Sequence, residues 1–241
     1  MTTVSPIAVA VVNAPAALLE LFPGGVFAAE LREAGDADTL TPLERQCVIK
    51  AVPKRVQEFA AGRTCARAAL AQMGITGVEL PAAGDRQPQW PAGVVGSITH
   101  TRGYCAAVVA SHSRFAGLGV DTEQAEAVHE ALWPQICTGA EIARLQELPP
   151  GRRVQAATLI FSAKESFYKA QYPVTQEWVH FRAVEVLTDD WLLPAGGFQI
   201  HSRRRLALDS HDFAAIRGRF RFHEQFVTAG TALTRTLVAK R

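Results

Sequence analysis

The run Phe161-Ser162-Ala163-Lys164-Glu165-Ser166-Phe167-Tyr168-Lys169-Ala170 sets two lysines and a glutamate into what otherwise has the composition of a core helix. Thr158, Leu159, Ile160 and Phe161 lead into it, and Phe167 and Tyr168 continue the apolar pattern. Pro173 is expected to stop it, because proline lacks the N–H that a helix interior needs. A helix that buries itself excludes charge from its apolar part, so charges placed there need partners. Two readings follow. Lysines beside a carboxylate can serve a phosphate together with its metal ion. Alternatively, Glu165 and Lys169, at i and i+4, form a surface pair worth a few tenths of a kcal/mol.

The segments on either side of this helix suggest a repeated plan. In the first half, Thr41-Pro42-Leu43-Glu44 reads as a helix start, with a threonine cap and proline at the first helical position. That helix is expected to run to about Val52, where Pro53 interrupts. A second runs from about Arg55 to Met73 and ends at Gly74. Strand-like pieces follow at Gly77–Leu80 and Tyr104–Ala110. In the second half, a helix from about Arg152 to Ala170 precedes strand-like pieces at Val179–Leu187, Phe198–His201, Ala215–Phe222 and Phe226–Thr234. Ile216, Gly218, Phe220 and Phe222 alternate with Arg217, Arg219 and Arg221, as on a half-exposed antiparallel strand. Helix then meander, twice over, predicts an α+β fold. Its two lobes should be similar, related by a pseudo-twofold, each a helix on an antiparallel sheet. The expected lobes are 1–115 and 116–241, with a hinge near Ser111–Gly117 and a cleft between them for a ligand.

Composition narrows the function classes. A chain of 241 residues with 48% hydrophobic residues can bury a sizeable core. Its net charge of +2 gives no support to bulk nucleic-acid binding, so any phosphate recognition must be local. Cys47, Cys65, Cys105 and Cys137 form no Cys-x-x-Cys pair or zinc spacing and read as reduced thiols. The N-terminal apolar stretch Ile7–Val12 lacks a preceding basic residue, since the first is Arg32, and no apolar run is long enough for a membrane span. The expectation is a cytoplasmic protein without a membrane or nucleic-acid partner.

Four constellations carry possible chemistry. In Gly117-Leu118-Gly119-Val120-Asp121-Thr122-Glu123, strand periodicity projects Asp121 and Glu123 from one face, either as hard oxygen ligands suited to magnesium or as a solvated strand end. Gly96-Ser97-Ile98-Thr99-His100-Thr101, after Trp90-Pro91, offers hydroxyls and an imidazole to an anion, or is an ordinary hairpin approach with one structural histidine. Arg55, Arg63 and Arg67 share a helix face that suits a phosphate monoester, with Arg86 in the polar loop Gly84–Gln87 able to join. The alternative is a solvated basic face compensated in part by Glu58. Arg203-Arg204-Arg205, beside His201, forms a basic patch that either meets an acidic partner or keeps a loop soluble. There is no nucleotide P-loop, dinucleotide fingerprint or serine-hydrolase elbow.

In combination and order, Gly62-Arg63, Trp90-Pro91, Gly96 to Thr101, Gly119-Val120-Asp121-Thr122-Glu123 and Phe161 to Lys169 resemble the 4′-phosphopantetheinyl transferases of the surfactin-synthetase type (group II). Within that type the resemblance is nearest to the branch of the enterobactin synthase component D. It spans about Arg55 to Lys169; the first 50 residues and the C-terminal strands carry no matching motif. The resemblance implies transfer of the 4′-phosphopantetheine arm of coenzyme A to a serine of an acyl or peptidyl carrier protein, with release of adenosine 3′,5′-bisphosphate. Such carriers serve fatty-acid, siderophore or polyketide synthesis. By the same likeness Asp121, Glu123 and Glu165 hold magnesium, and Lys164, Lys169 and His100 neutralise phosphate oxygens. Arg55, Arg63 and Arg86 hold the 3′-phosphate or adenosine end, with Ser97 beside them, and Arg67 is less firmly implied. Glu165 is the candidate base for the serine proton, Lys164 the stabiliser of the leaving bisphosphate, and Asp121 part of the catalytic set. A pseudo-dimeric chain of this kind is expected to be a monomer. The competing readings are another magnesium-dependent phosphotransferase and a catalytically silent nucleotide- or partner-binding module.

Overall fold

The computed structural model describes residues 11–202, 208 and 216–235. Its first sheet is antiparallel, in the order β1 (Val11–Asn13), β2 (Val26–Leu31), β4 (Tyr104–Ser111), β3 (Val94–Thr101). Along β4 the side chains alternate between two buried faces. Cys105, Ala107 and Val109 pack, with Ala29 and Leu31 of β2, against the helix α3 (Pro53–Gln72). Ala106, Val108 and Ala110 face the other way, with Ala28, onto Leu118 and Val120 of β5 (Phe115–Gln124). A strand buried on both faces reads as a continuous apolar run, which is why this sheet is rich in alanine and valine.

The second sheet is antiparallel in the order β5, β9 (Phe226–Thr234), β8 (Ile216–His223), β7 (Ala195–Ser202), β6 (Val184–Leu187). Its far face packs Val227, Ala229, Phe198, Ile200 and Phe220 against Leu159, Ile160, Ala163 and Phe167 of α6 (Pro150–Thr175). The fold is therefore α+β: two antiparallel sheets face each other, and each is backed by a long helix. The short helices are α1 (Ala16–Leu19), α2 (Pro42–Cys47), α4 (Trp133–Ile136) and α5 (Gly139–Glu147). The break between the sheets lies between Ser111 and Phe115.

Several local expectations change. Gly77–Leu80 is not a strand: Leu80 is buried, but its N–H donates to Glu44 and its carbonyl accepts from Arg63, so side chains replace a ladder. The helix at Pro42 ends at Cys47 rather than Val52, because Val48 and Ala51 turn inward toward Phe59. Pro173 does not stop α6. The helix runs through it to Thr175 and ends where Gln176 takes a left-handed φ of 56°. Val179–Ala183 lies outside the strand expected there, which begins only at Val184. The Arg203–Arg205 patch lies outside the described residues.

Each half contains the same buried clamp. Thr41 and Glu44 form a reciprocal capping box at α2, and both oxygens of the buried Glu44 carboxylate also accept from Arg67 Nη1 (2.7 and 2.9 Å), one of them from the N–H of Leu80 as well. Burial pushes the Glu44 carboxyl up, but the N–H groups of Thr41 and Leu80 and the Arg67 guanidinium outweigh it and hold its pKa below the usual range. Thr138 and Glu141 form the equivalent box at α5, and Glu141 accepts from Lys164 (2.6 Å) and from the N–H of Val186 (2.7 Å). In both halves the cation lies 23 residues after the glutamate. Breaking a buried ion pair strands a charge, whereas removing both charges is far less costly. Lys164→Ala is expected to lower unfolding free energy by about 3–5 kcal/mol, read from urea denaturation, while Glu141→Leu/Lys164→Met recovers most of it. A Lys164→Ala protein within about 1 kcal/mol of the parent would show that the clamp does not hold the lobe together.

Candidate functional site

Strand β5 and helix α6 meet almost at backbone contact. A side chain at Gly117 would collide with the Ala170 carbonyl, and one at Gly119 with the Ser166 carbonyl. Ser162 Oγ donates to the Asp121 carbonyl (3.0 Å), fixing the approach. Asp121 and Glu123, next on the same strand face, are thereby directed toward the α6 side chains. Lys169 Nζ donates to Asp121 Oδ1 (2.7 Å) and to the Val120 carbonyl (3.1 Å). An ammonium has three donors, so one N–H remains free for another acceptor.

The electrostatics of this cluster are those of an acid-rich hollow. Burial, then Asp121 and Glu165, push the Glu123 carboxyl up to about 7 against the opposing pull of Lys169. Burial and Asp121 also raise Glu165. Burial works to lower the Lys169 pKa, but Asp121, Glu165 and Glu123 overcome it and leave it raised. Asp121 Oδ2 is buried without a hydrogen-bond partner among the described residues. Among the described residues no three His, Cys, Asp or Glu side chains are gathered closely enough to form a ready metal-binding group. The chemistry of the set nonetheless fits a hard dication. It offers carboxylate oxygens, one of them orphaned, and two glutamates whose ionisation their neighbours oppose.

A cleft of about 360 Å³ opens beside this cluster, between the lobes. Lys169, Tyr168 and Tyr172 of α6 form one wall, and Arg63, Ser97 and His100 of the first lobe form the opposite one. Trp90 and Arg86 close an end, with Gly96 held so tightly under the Trp90 ring that no side chain would fit there. Arg63 is buried: its Nε donates to the Leu80 carbonyl (2.6 Å), its guanidinium stacks over Phe59 at 3.8 Å, and its Nη2 has no hydrogen-bond partner among the described residues. Burial first, offset by Glu44, lowers the Arg63 pKa to about 10. A buried, unpartnered N–H of a cation is costly unless an anion reaches it. Arg86 enters from a loop with φ of 73°, uncommon for a residue with a side chain. Arg55, exposed in the first turn of α3, donates to His100 Nε2 (2.9 Å). Burial first, and the nearby Arg55 and Lys169, lower the His100 pKa although Glu58 opposes them.

Two expected site residues have other roles. Lys164 is 1% exposed, and Nζ donates to Ile136 O, Glu141 Oε2 and Phe181 O, which uses all three of its donors. It has none left for a phosphate, so the expectation that it neutralises phosphate or stabilises a leaving group is corrected. Arg67 is likewise tied to Glu44 and to the Thr39 carbonyl rather than to an anion site. Ser97 does line the cleft, but its Oγ accepts from Val120 N (3.1 Å), as Thr99 Oγ1 accepts from Thr122 N (2.8 Å). These hydroxyls cap the free edge of β5, and only their own O–H groups remain available to a ligand. The tyrosines were missed by sequence reasoning. Tyr168 and Tyr172 stack with ring centroids 5.2 Å apart. Each lies three residues after a charged site residue, Tyr168 after Glu165 and Tyr172 after Lys169, and the two tyrosines are four apart, so one helix face carried that signal.

Comparison with known proteins agrees with this geometry. Residues 43–110 match the family described as 4'-phosphopantetheinyl transferase N-terminal domain, and residues 117–221 match the 4'-phosphopantetheinyl transferase superfamily. The chain is 34% identical over 192 residues to the 4'-phosphopantetheinyl transferase Npt of Nocardia iowensis, covering 76% of this chain and 82% of the relative. It is 40% identical over 151 residues to the 4'-phosphopantetheinyl transferase Svp of Streptomyces mobaraensis, covering 62% and 61%. Over 122 residues it is 43% identical to enterobactin synthase component D of Salmonella typhi, covering 48% of each chain. With a cation-lined cleft between two sheets, an acid cluster on β5 and α6, and both halves matched, this chain belongs to the 4'-phosphopantetheinyl transferase superfamily.

Proposed function

We propose that the chain transfers the 4′-phosphopantetheine arm of coenzyme A to a serine hydroxyl of an acyl or peptidyl carrier protein. Adenosine 3′,5′-bisphosphate leaves. The observation that carries this reading is one cleft with cations of the first lobe on one wall and the Lys169–Asp121 pair of the second on the other. Such an arrangement holds a pyrophosphate between two sources of positive charge, and phosphoryl transfer needs positioning and charge neutralisation more than covalent help. We assign 1–115 to the adenosine and 3′-phosphate side and 116–241 to the side that performs the transfer.

Arg63 Nη2, buried and unpartnered, is the donor assigned to the 3′-phosphate, with Arg86 at the cleft end and Arg55 acting through His100. His100 and the free N–H of Lys169 take the pyrophosphate oxygens. Asp121, Glu123 and Glu165 would hold a magnesium ion, which when bound neutralises the pyrophosphate and polarises it toward displacement. The carrier serine must lose its proton as its oxygen bonds to phosphorus and the bridging P–O bond breaks. Glu165, whose pKa burial raises, is the base assigned to that proton.

Intact-mass spectrometry of an apo-carrier incubated with coenzyme A and magnesium tests the function. A serine-linked gain of the phosphopantetheine mass is expected from the parent chain and a loss of at least about 100-fold in rate from Glu165→Gln. A gain of phosphate alone would give the chain a different phosphotransferase activity. Arg63→Ala is expected to weaken coenzyme A by about 10–100-fold and its 3′-dephospho analogue by less than about threefold. Equal losses by calorimetry would remove Arg63 from 3′-phosphate recognition. Phosphate oxygens raise the lowered pKa of His100, so binding near pH 7 should take up a proton and affinity should fall as pH rises toward 8. Calorimetry in buffers of different ionisation enthalpy reads that uptake. Its persistence in His100→Asn would assign the proton to another group.

A further inference from the structure

The loop from α2 to α3 turns its largest apolar side chains outward. Ile49 is 79% exposed and Val52 67%, while their neighbours Val48 and Ala51 face inward toward Phe59. Lys50 stands between them, and Arg45, Lys54 and Arg55 flank them. The acid within this stretch, Glu44, is sealed in its clamp with Arg67 and presents no charge to solvent. Asp38, near Arg45, and Glu58, near Lys54 and Arg55, compensate its edges only. Ile49 and Val52, with Lys50 between them, thus offer an apolar and cationic surface whose acids are sealed or lie at its edges.

This face is continuous with the active cleft. Arg55 bonds His100 at 2.9 Å, and Lys54 lines a second cavity of about 190 Å³ together with His100, Arg32 and Arg102. That cavity shares His100 with the main cleft. A body resting on Ile49, Lys50 and Val52 is therefore next to Arg55 and, through it, to His100, one of the two groups assigned to the pyrophosphate. We propose that the α2–α3 loop is the docking face for the carrier protein, which presents an apolar patch bordered by carboxylates. The proposal rests on the transfer reading above and adds where the second substrate sits. Apolar contacts at Ile49 and Val52 supply affinity, and Lys50 and Lys54 set register and encounter rate.

The test compares the parent with Ile49→Glu/Val52→Glu and with Lys50→Glu, none of them in the binding or catalytic machinery. Steady-state assays read KM for the carrier and for coenzyme A, and biolayer interferometry reads Kd for the apo-carrier. The double variant is expected to raise carrier KM and Kd at least about tenfold and Lys50→Glu about threefold. KM for coenzyme A and the unfolding midpoint should stay at parental values. Added salt should weaken parental carrier binding more than that of Lys50→Glu. Unchanged carrier Kd in the double variant overturns the proposal, as do equal rises in both KM values. Loss of self-association with carrier Kd unchanged also overturns it and gives the face to a second copy. A parent that binds a carrier in this variant-sensitive way but never loads it sinks the transfer reading and leaves the docking face standing.

Discussion

The site depends on the absence of side chains at Gly117 and Gly119. These glycines let the backbone of α6 lie directly on β5, with the Ser166 and Ala170 carbonyls where Cβ atoms would otherwise be. A helix normally packs on a sheet with an intervening layer of side chains. Removing that layer brings the next residues along the strand face, Asp121 and Glu123, within electrostatic reach of Glu165 and Lys169. The hydroxyls on α6 complete the seam, Ser162 to the Asp121 carbonyl and Ser166 to Thr231 (2.9 Å). At such a distance like charges oppose one another's ionisation, and a cation becomes the natural complement.

The two halves repeat this frame without repeating the chemistry. The clamps Glu44–Arg67 and Glu141–Lys164 occupy equivalent places, and so do Gln72 and Lys169 farther along each helix. Gln72 Nε2 donates to the Ala28 carbonyl (2.8 Å) as Lys169 Nζ does to that of Val120. Ala28 and Val120 both face the layer between the sheets. Superposing these contacts sets Ala29 against Asp121, Leu31 against Glu123 and Ala68 against Glu165. In the first lobe those positions are packed with apolar side chains, or in Ala68 lie beside them. At these positions one half of the repeat carries apolar core and the other carries charges.

This repetition explains which features were legible in the sequence. The doubled helix-and-meander plan was readable because period and punctuation are local, as in the Arg217 to Phe222 alternation now seen as β8. Strand β2 escaped notice because Phe27-Ala28-Ala29 carries no alternation when both faces are buried. The acid cluster and the cation-lined cleft were legible as motifs, while the partner of each charge was not. Lys164 and Glu165 are neighbours in sequence but on a helix point about 100° apart, one into the Glu141 clamp and the other toward Asp121. Nothing local separates those two fates. The information lay in the matched Thr-x-x-Glu boxes, each followed at the same interval by a basic residue, and that pattern becomes meaningful only when both halves are compared.

The clamp and the site are coupled by this adjacency. Lys164 is held by a carbonyl before α5, a carboxylate on α5 and a carbonyl ahead of β6, so it fixes the rotation of α6 about its axis. The phase of the helix in turn decides whether Tyr168, Lys169 and Tyr172 face the cleft and whether Glu165 lies within electrostatic reach of Asp121. A buried ion pair is a poor source of net stability compared with apolar packing, and its better-attested use is to specify register. Here one unit of register equals one residue of rotation, which would exchange Glu165 for a serine or a lysine at the acid cluster. The charge that looks catalytic by its place in the motif therefore serves the site by fixing where its neighbour points.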